Sequence, residues 1–215
     1  MAERSDYLAH QFVDPIQQEQ SSTLGMWVFL ATEVLFFGGL FAAYTVYRFQ
    51  FPEVFQHASH HLSVLLGTIN TGVLLTSSLT MALAIHSAQT GHRRQLMAFL
   101  IITMVLGIGF MVVKGCEYHK DYVEHLVPGH SFAFDARYMP QAQMFFVLYF
   151  LMTGLHAVHV TVGIGVIGVF LILSLKGRFT PEYHTPLEIG GLYWHFVDIV
   201  WIFLYPLLYL VGHHR

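Results

Sequence analysis

Apolar residues fall into five long blocks, over about 24–47, 62–88, 95–115, 141–175 and 187–211, with short polar connections between them. Each block holds the ~20 residues that a helix needs to cross a hydrocarbon core about 30 Å thick. The pattern predicts an all-α, polytopic transmembrane helical bundle of five spans. One membrane domain over 24–212 follows a polar N-terminal tail over 1–23. That tail lacks the basic start and short apolar core of a signal peptide, so it is expected to be retained. Pro52, Pro128, Pro140, Pro181 and Pro186 fall between blocks, where a broken helix does no harm. Pro206 lies inside the last block and is expected to kink it near its end. The block 141–175 is longer than a span requires and must tilt, kink or project beyond the bilayer.

Small residues suggest how the helices meet. Gly67, Thr71 and Ser78 share one face of the second block. Gly154, Ala157, Thr161, Gly165 and Gly168 form a stripe on the fourth, of the kind that lets membrane helices pack closely. The stretch Glu117–Pro140 mixes His, Tyr, Asp and Gly and is expected to be an extramembrane cap. An odd number of spans puts the termini on opposite sides. The two tightest connections, around Arg93-Arg94 and Lys176-Gly177-Arg178, are basic and lie on the N-terminal side, which favours an N-inside, C-outside orientation.

Against this background a few polar residues stand out. Glu33 is eight residues into the first block, counted from Gly25, or roughly 12 Å deep. A charge at the centre of a span costs about 2–4 kcal/mol, so Glu33 should face protein, headgroup or water. His156 and His159 lie in the fourth block, His195 and Asp198 in the fifth. Counting rise along antiparallel helices puts Glu33, His159 and His195 at one level in the half of the bilayer nearer the N-terminus. His195 and Asp198 are i, i+3 neighbours on one face. This cluster suits a proton-exchanging or lipid-binding site; a hydrogen-bonded lock joining three helices suits the same pattern.

Composition narrows the class. Of 215 residues, 55% are hydrophobic and 11% charged, against about a quarter charged in soluble domains. The net charge of −3 and the lack of a basic stripe or zinc-finger spacing give no nucleic-acid signal. A single cysteine, Cys116, excludes an internal disulfide, a CxxC redox pair and a thiolate cluster within this chain. Of the fifteen histidines, His57, His60, His61, His213 and His214 lie at or beyond the ends of apolar blocks and are expected at the interface, as is His86. A b-haem inside a membrane needs histidines paired across helices, and His156 and His159 point broadly the same way with only His195 opposite. No metal or haem site is expected in this chain.

Five motifs in order carry a family resemblance. They are Gly25-Met26-Trp27-Val28-Phe29-Leu30-Ala31-Thr32-Glu33, Asn70-Thr71-Gly72-Val73-Leu74-Leu75-Thr76-Ser77-Ser78, Glu117-Tyr118, Thr153-Gly154-Leu155-His156-Ala157-Val158-His159-Val160, and Tyr193-Trp194-His195-Phe196-Val197-Asp198-Ile199-Val200-Trp201-Ile202-Phe203-Leu204-Tyr205. With these the chain resembles subunit III of the haem-copper terminal oxidases, the cytochrome c oxidase and quinol oxidase family. The resemblance implies a non-catalytic subunit with no cofactor of its own. Haem and copper, oxygen reduction and proton pumping belong to subunits I and II. It implies packing on subunit I, contact with subunit II and other members of the complex, and bound phospholipid in a helical cleft. It also implies support of proton uptake and of the lifetime of the complex, in a bacterial plasma membrane. Glu33 and His159 match the family's buried glutamate and its paired histidine. Lys176 and Arg178 are candidates for holding a lipid phosphate.

The chain departs from the family pattern in places. The two spans that precede the glutamate helix in seven-span members are absent, which fits a bacterial five-helix form. Lys114 stands where some members have Gln. Three other functions stay open on the residues alone: a subunit attached to a nitric oxide reductase, a b-type cytochrome membrane anchor, and a stand-alone proton or ion carrier. The electron donor of the complex, cytochrome c or quinol, is not encoded in any of these motifs.

Overall fold

The computed structural model describes residues 11–129, 132–135, 137–210 and 212. Residues 1–10 of the expected tail, and His213 and His214, lie outside them. The described residues form six helices: α1 (Pro15–Gln50), α2 (Pro52–Ser59), α3 (Val64–Gln89), α4 (Arg93–Val123), α5 (Met139–Leu175) and α6 (Thr185–Tyr209). All but α2 are long and apolar enough to cross a membrane. The five expected spans are all present.

Helix ends differ from the apolar blocks because caps, not hydropathy, set them. α1 begins at Pro15, well before the first block, because the Asp14 carboxylate accepts from the Gln17 amide at 2.7 Å and Pro15 occupies the first turn. Ser63 caps α3 in the same way. Gly91 and Gly177 take positive φ in the two tight connections, α3–α4 and α5–α6. Arg93 ties these connections together, donating to the final carbonyls of α5 at Ser174 (2.8 Å) and Leu175 (2.6 Å). α5 runs unbroken from Met139 to Leu175, and α6 stays helical through Pro206 to Tyr209.

α3, α4, α5 and α6 form a ring in which each helix packs on two neighbours. α1 lies outside the ring, against α5 and α6, and α2 rests on α5. α1 buries only Leu30, Phe37 and Tyr44. The ring is filled by large aromatics: Phe110, Tyr149, Trp194, Trp201 and Tyr209 are all fully buried. Trp194 fits because two facing helices carry glycine. A Cβ on Gly163 would lie 2.7 Å from its indole ring, and one on Gly107 2.9 Å.

Two packing expectations are settled differently. Gly67, Thr71 and Ser78 do face α6: Gly67 touches Tyr205 and Tyr209, Thr71 accepts from Trp201 Nε1 at 3.1 Å, and Ser78 bonds His195 at 2.6 Å. The α5 stripe packs inside the chain only at its start, where a Cβ on Gly154 would lie 3.9 Å from the Tyr118 hydroxyl. Thr161 and Gly165 are exposed, and a Cβ on Gly165 or Gly168 would meet open space. Close approach is made at Gly163, off the stripe.

The expected extramembrane cap begins later than Glu117. Its first part, Glu117–Val123, is the last two turns of α4. Lys114, Glu117 and Asp121 fall at i, i+3 and i+7, so they share one face of α4, and that face turns inward. These three residues mark a polar interior, while His119 and Lys120 on the other side of the helix are exposed.

Candidate functional site

Glu33 on α1 and His159 on α5 meet, with Glu33 Oε2 3.2 Å from His159 Nε2. Both side chains are mostly buried, at 19% and 16% exposure. Phe37, one turn beyond Glu33, packs edge-on to the His159 ring at 5.3 Å. On the other side Tyr193 of α6 stacks on His159 and donates its hydroxyl to the His159 carbonyl at 3.0 Å. The second imidazole nitrogen fixes the proton inventory. His159 Nδ1 is 2.8 Å from the Leu155 carbonyl, which can only accept, so Nδ1 carries a hydrogen. When one proton lies between Nε2 and Oε2, the contact is either a carboxylic acid donating to a neutral imidazole or an imidazolium donating to a carboxylate.

This pair stands one turn beyond the floor of a cleft of about 520 Å³ between α1, α5 and α6. Phe29, Val162, Val166, Phe170 and Tyr193 form its apolar wall, and Gln18, Glu19, Ser22, Glu182 and Thr185 its polar mouth. The cleft exists because α1 leans on the ring through few residues and leaves its first turns standing free of α5. Lys176 and Arg178 are exposed at the end of α5 and are not among the residues lining the cleft. Among the described residues lining it, the charged ones are the carboxylates Glu19 and Glu182 instead.

The expected cluster of five polar residues is split by the fold. His156 lies one turn before His159 but points into the ring, 1% exposed, between Phe110 and Trp201. The offset of about 60° between i and i+3 positions is enough to put the two imidazoles on opposite sides of α5's contact with α6. Neither His156 nitrogen has a hydrogen-bond partner among the described residues. His195 turns toward α3, bonding Ser78 through Nδ1 at 2.6 Å. It also lines a second, almost wholly apolar groove of about 430 Å³ between α1 and α6. Asp198 is 3% exposed and is not among the residues lining that groove. Ser78 is its polar neighbour, yet neither carboxylate oxygen makes a hydrogen bond of standard geometry. Of the expected group, Glu33 and His159 share a hydrogen bond.

A second polar centre was missed. Lys114, Glu117 and Asp121 are 2%, 3% and 1% exposed. The Lys114 ammonium uses all three of its protons, on Glu117 Oε2 at 2.8 Å, Tyr149 OH at 3.0 Å and Tyr209 OH at 2.7 Å. Tyr209 then donates to Glu117 Oε2 at 2.9 Å. The inward-facing spacing of three and four was the signal for it. Among the described residues no group of three or more His, Cys, Asp or Glu converges as metal ligands do.

The sequence matches the family model described as cytochrome c oxidase subunit III over residues 10–213. It is 35% identical over 196 residues to quinol oxidase subunit 3 of Bacillus spizizenii, covering 88% of this chain and 86% of that protein. Quinol oxidase subunit 3 of Bacillus subtilis is 34% identical over 195 residues, with the same coverage. Cytochrome c oxidase subunit 3 of Dugong dugon is 33% identical over 196 residues, 87% of this chain and 69% of that protein.

Proposed function

We propose, for a chain that belongs to the cytochrome c oxidase subunit III family and is therefore a subunit of a haem-copper oxidase, a supporting role built on the α1–α5–α6 cleft. In this reading the cleft holds a phospholipid beside the catalytic subunit. Its acyl chains lie along Phe29, Val162, Val166 and Phe170, and its headgroup sits at the level of Glu19 and Glu182. Two carboxylates at the mouth favour a headgroup that carries an amine over a purely anionic one. Lys176 and Arg178, exposed nearby, reach the phosphates of surrounding lipid.

The observation that carries this reading is the Glu33–His159 contact at 3.2 Å just beyond the cleft floor. α1 is held to the ring by few buried side chains, so this polar contact keeps the cleft at a fixed width. Loss of the contact lets α1 move and the lipid leave. The chain itself carries no redox centre in this reading. Haem and copper sit in subunits I and II, against which its exposed apolar faces pack. Oxygen reduction and proton pumping are theirs. Its N-terminal side faces the inside of a bacterial plasma membrane, and the filled cleft sustains proton uptake and the working life of the complex.

The test uses the purified oxidase complex carrying Glu33→Ala or His159→Ala. Haem spectra equal to wild type, with less retained phospholipid and a shorter lifetime during turnover, support the proposal. Loss of haem, or unchanged lipid content and lifetime, counts against it.

A further inference from the structure

The Lys114 centre has a charge imbalance that its geometry makes specific. One ammonium faces two carboxylates, Glu117 and Asp121, one helical turn apart on α4. All three are nearly inaccessible. With both acids ionised the site would bury a net negative charge, which costs several kcal/mol in a protein interior unless it is neutralised. Among the described residues no second cation pairs with it: Lys120, the other basic group near Asp121, is half exposed and pairs with Glu124 at 3.7 Å. The other titratable groups facing the centre among the described residues are the phenols Tyr118 of α4, Tyr149 of α5 and Tyr209 of α6, and the His156 imidazole of α5, which shares the Trp201 ring with Lys114. The hydrogen bonds are also uneven. Glu117 Oε2 takes two donors, while Glu117 Oε1 and Asp121 Oδ2 take none among the described residues. The missing charge and the unused acceptors are both met by one more proton on the carboxylates.

This centre adjoins an open basin with ionisable groups on its wall. A cavity of about 610 Å³ lies between the end of α2 and the α4–α5 connection, lined by His57, His61, Glu124, Asp135 and Tyr138. Leu126 contacts both. It lines the basin, is 3% exposed, and its amide donates to the Asp121 carbonyl at 2.9 Å.

We propose that Glu117 and Asp121 together hold one exchangeable proton, additional to those of Lys114, and exchange it with the basin past Leu126. The site binds a proton and nothing else: a carboxylate becomes a carboxylic acid when the proton arrives from basin water, and the proton returns there when it leaves. It lies at the end of the bundle remote from the Glu33–His159 cleft, and does not depend on that cleft's role. His57, His61, Glu124 and Asp135 supply and collect the proton at the surface.

The test is infrared difference spectroscopy of the intact oxidase complex during a pH titration, in H₂O and D₂O. The expected result is a protonated-carboxyl band that changes with pH, shifts in D₂O, is lost in Asp121→Asn or Glu117→Gln, and persists in Glu33→Gln. Wild-type and both variant spectra that superimpose overturn the proposal. So does a band that ignores both pH and deuterium, which marks a fixed structural acid. Should those variants fail to assemble, wild-type complex labelled with ¹³C-carboxyl aspartate or glutamate decides the same question by whether the band moves. Leu126→Ala tests the route: deuterium exchange of that band becomes faster if Leu126 is the barrier, and an unchanged rate overturns this route.

Discussion

Glu33 Oε2 and His159 Nε2 are 3.2 Å apart, and the hydrogen on His159 Nδ1 is already committed to the Leu155 carbonyl. In its neutral form the imidazole therefore accepts at Nε2. A glutamine amide at position 33 has an N–H to donate to it, whereas an alanine has nothing. Glu33→Gln should keep the cleft closed on its lipid and retain wild-type phospholipid content, with Glu33→Ala losing it. Lipid analysis of the two purified complexes makes the comparison. Equal losses in both would mean that the ionisable proton, not the contact, holds α1 in place.

Gly163→Ala and Gly107→Ala should each destabilise the bundle by about 1–3 kcal/mol, because the new methyl meets the buried Trp194 ring. Gly165→Ala, on the open face of the same helix, meets nothing within 4 Å in this chain. It should leave the chain's own stability near wild type. Thermal unfolding of the subunit within detergent-solubilised complex separates the two classes.

Removing Lys114 leaves Glu117 without its ion pair in a closed interior. Lys114→Met should cost about 3–5 kcal/mol. The double variant Lys114→Met with Glu117→Leu removes both charges and should recover part of that loss. Lys114→Gln keeps N–H donors for Tyr149 and Tyr209 and should be milder than Lys114→Met. Yield of assembled complex and its denaturation midpoint provide the ranking.

Glu19→Gln with Glu182→Gln neutralises the mouth of the cleft. Native mass spectrometry of the complex should then find fewer amine-bearing phospholipids retained. Lys176→Ala with Arg178→Ala should leave the cleft lipid unchanged, since neither residue lines it. The opposite ranking would move the headgroup from the mouth of the cleft to the end of α5.

Hydropathy alone determined the number of spans, and the five motifs determined the family. Both are local properties: a stretch of ~20 apolar residues has one stable form in a bilayer whatever surrounds it. Depth counting also brought Glu33 and His159 to one level, because rise per residue is fixed along a helix. Rotation about each helix axis was a different matter. It decides which side of a helix faces a neighbour, and it is set by where Trp194 can enter, at Gly163 and Gly107, and by where bulk is excluded. That is why His156 and Asp198 turned into the ring and His195 toward Ser78, while Glu33 and His159 stayed together at the cleft. It is also why Lys114, Glu117 and Asp121 look like the edge of a solvated loop in the chain and form a closed ionic centre in the fold. Their partners Tyr149 and Tyr209 come from helices 35 and 95 residues away from Lys114, and only the closed ring of α3, α4, α5 and α6 brings them within reach.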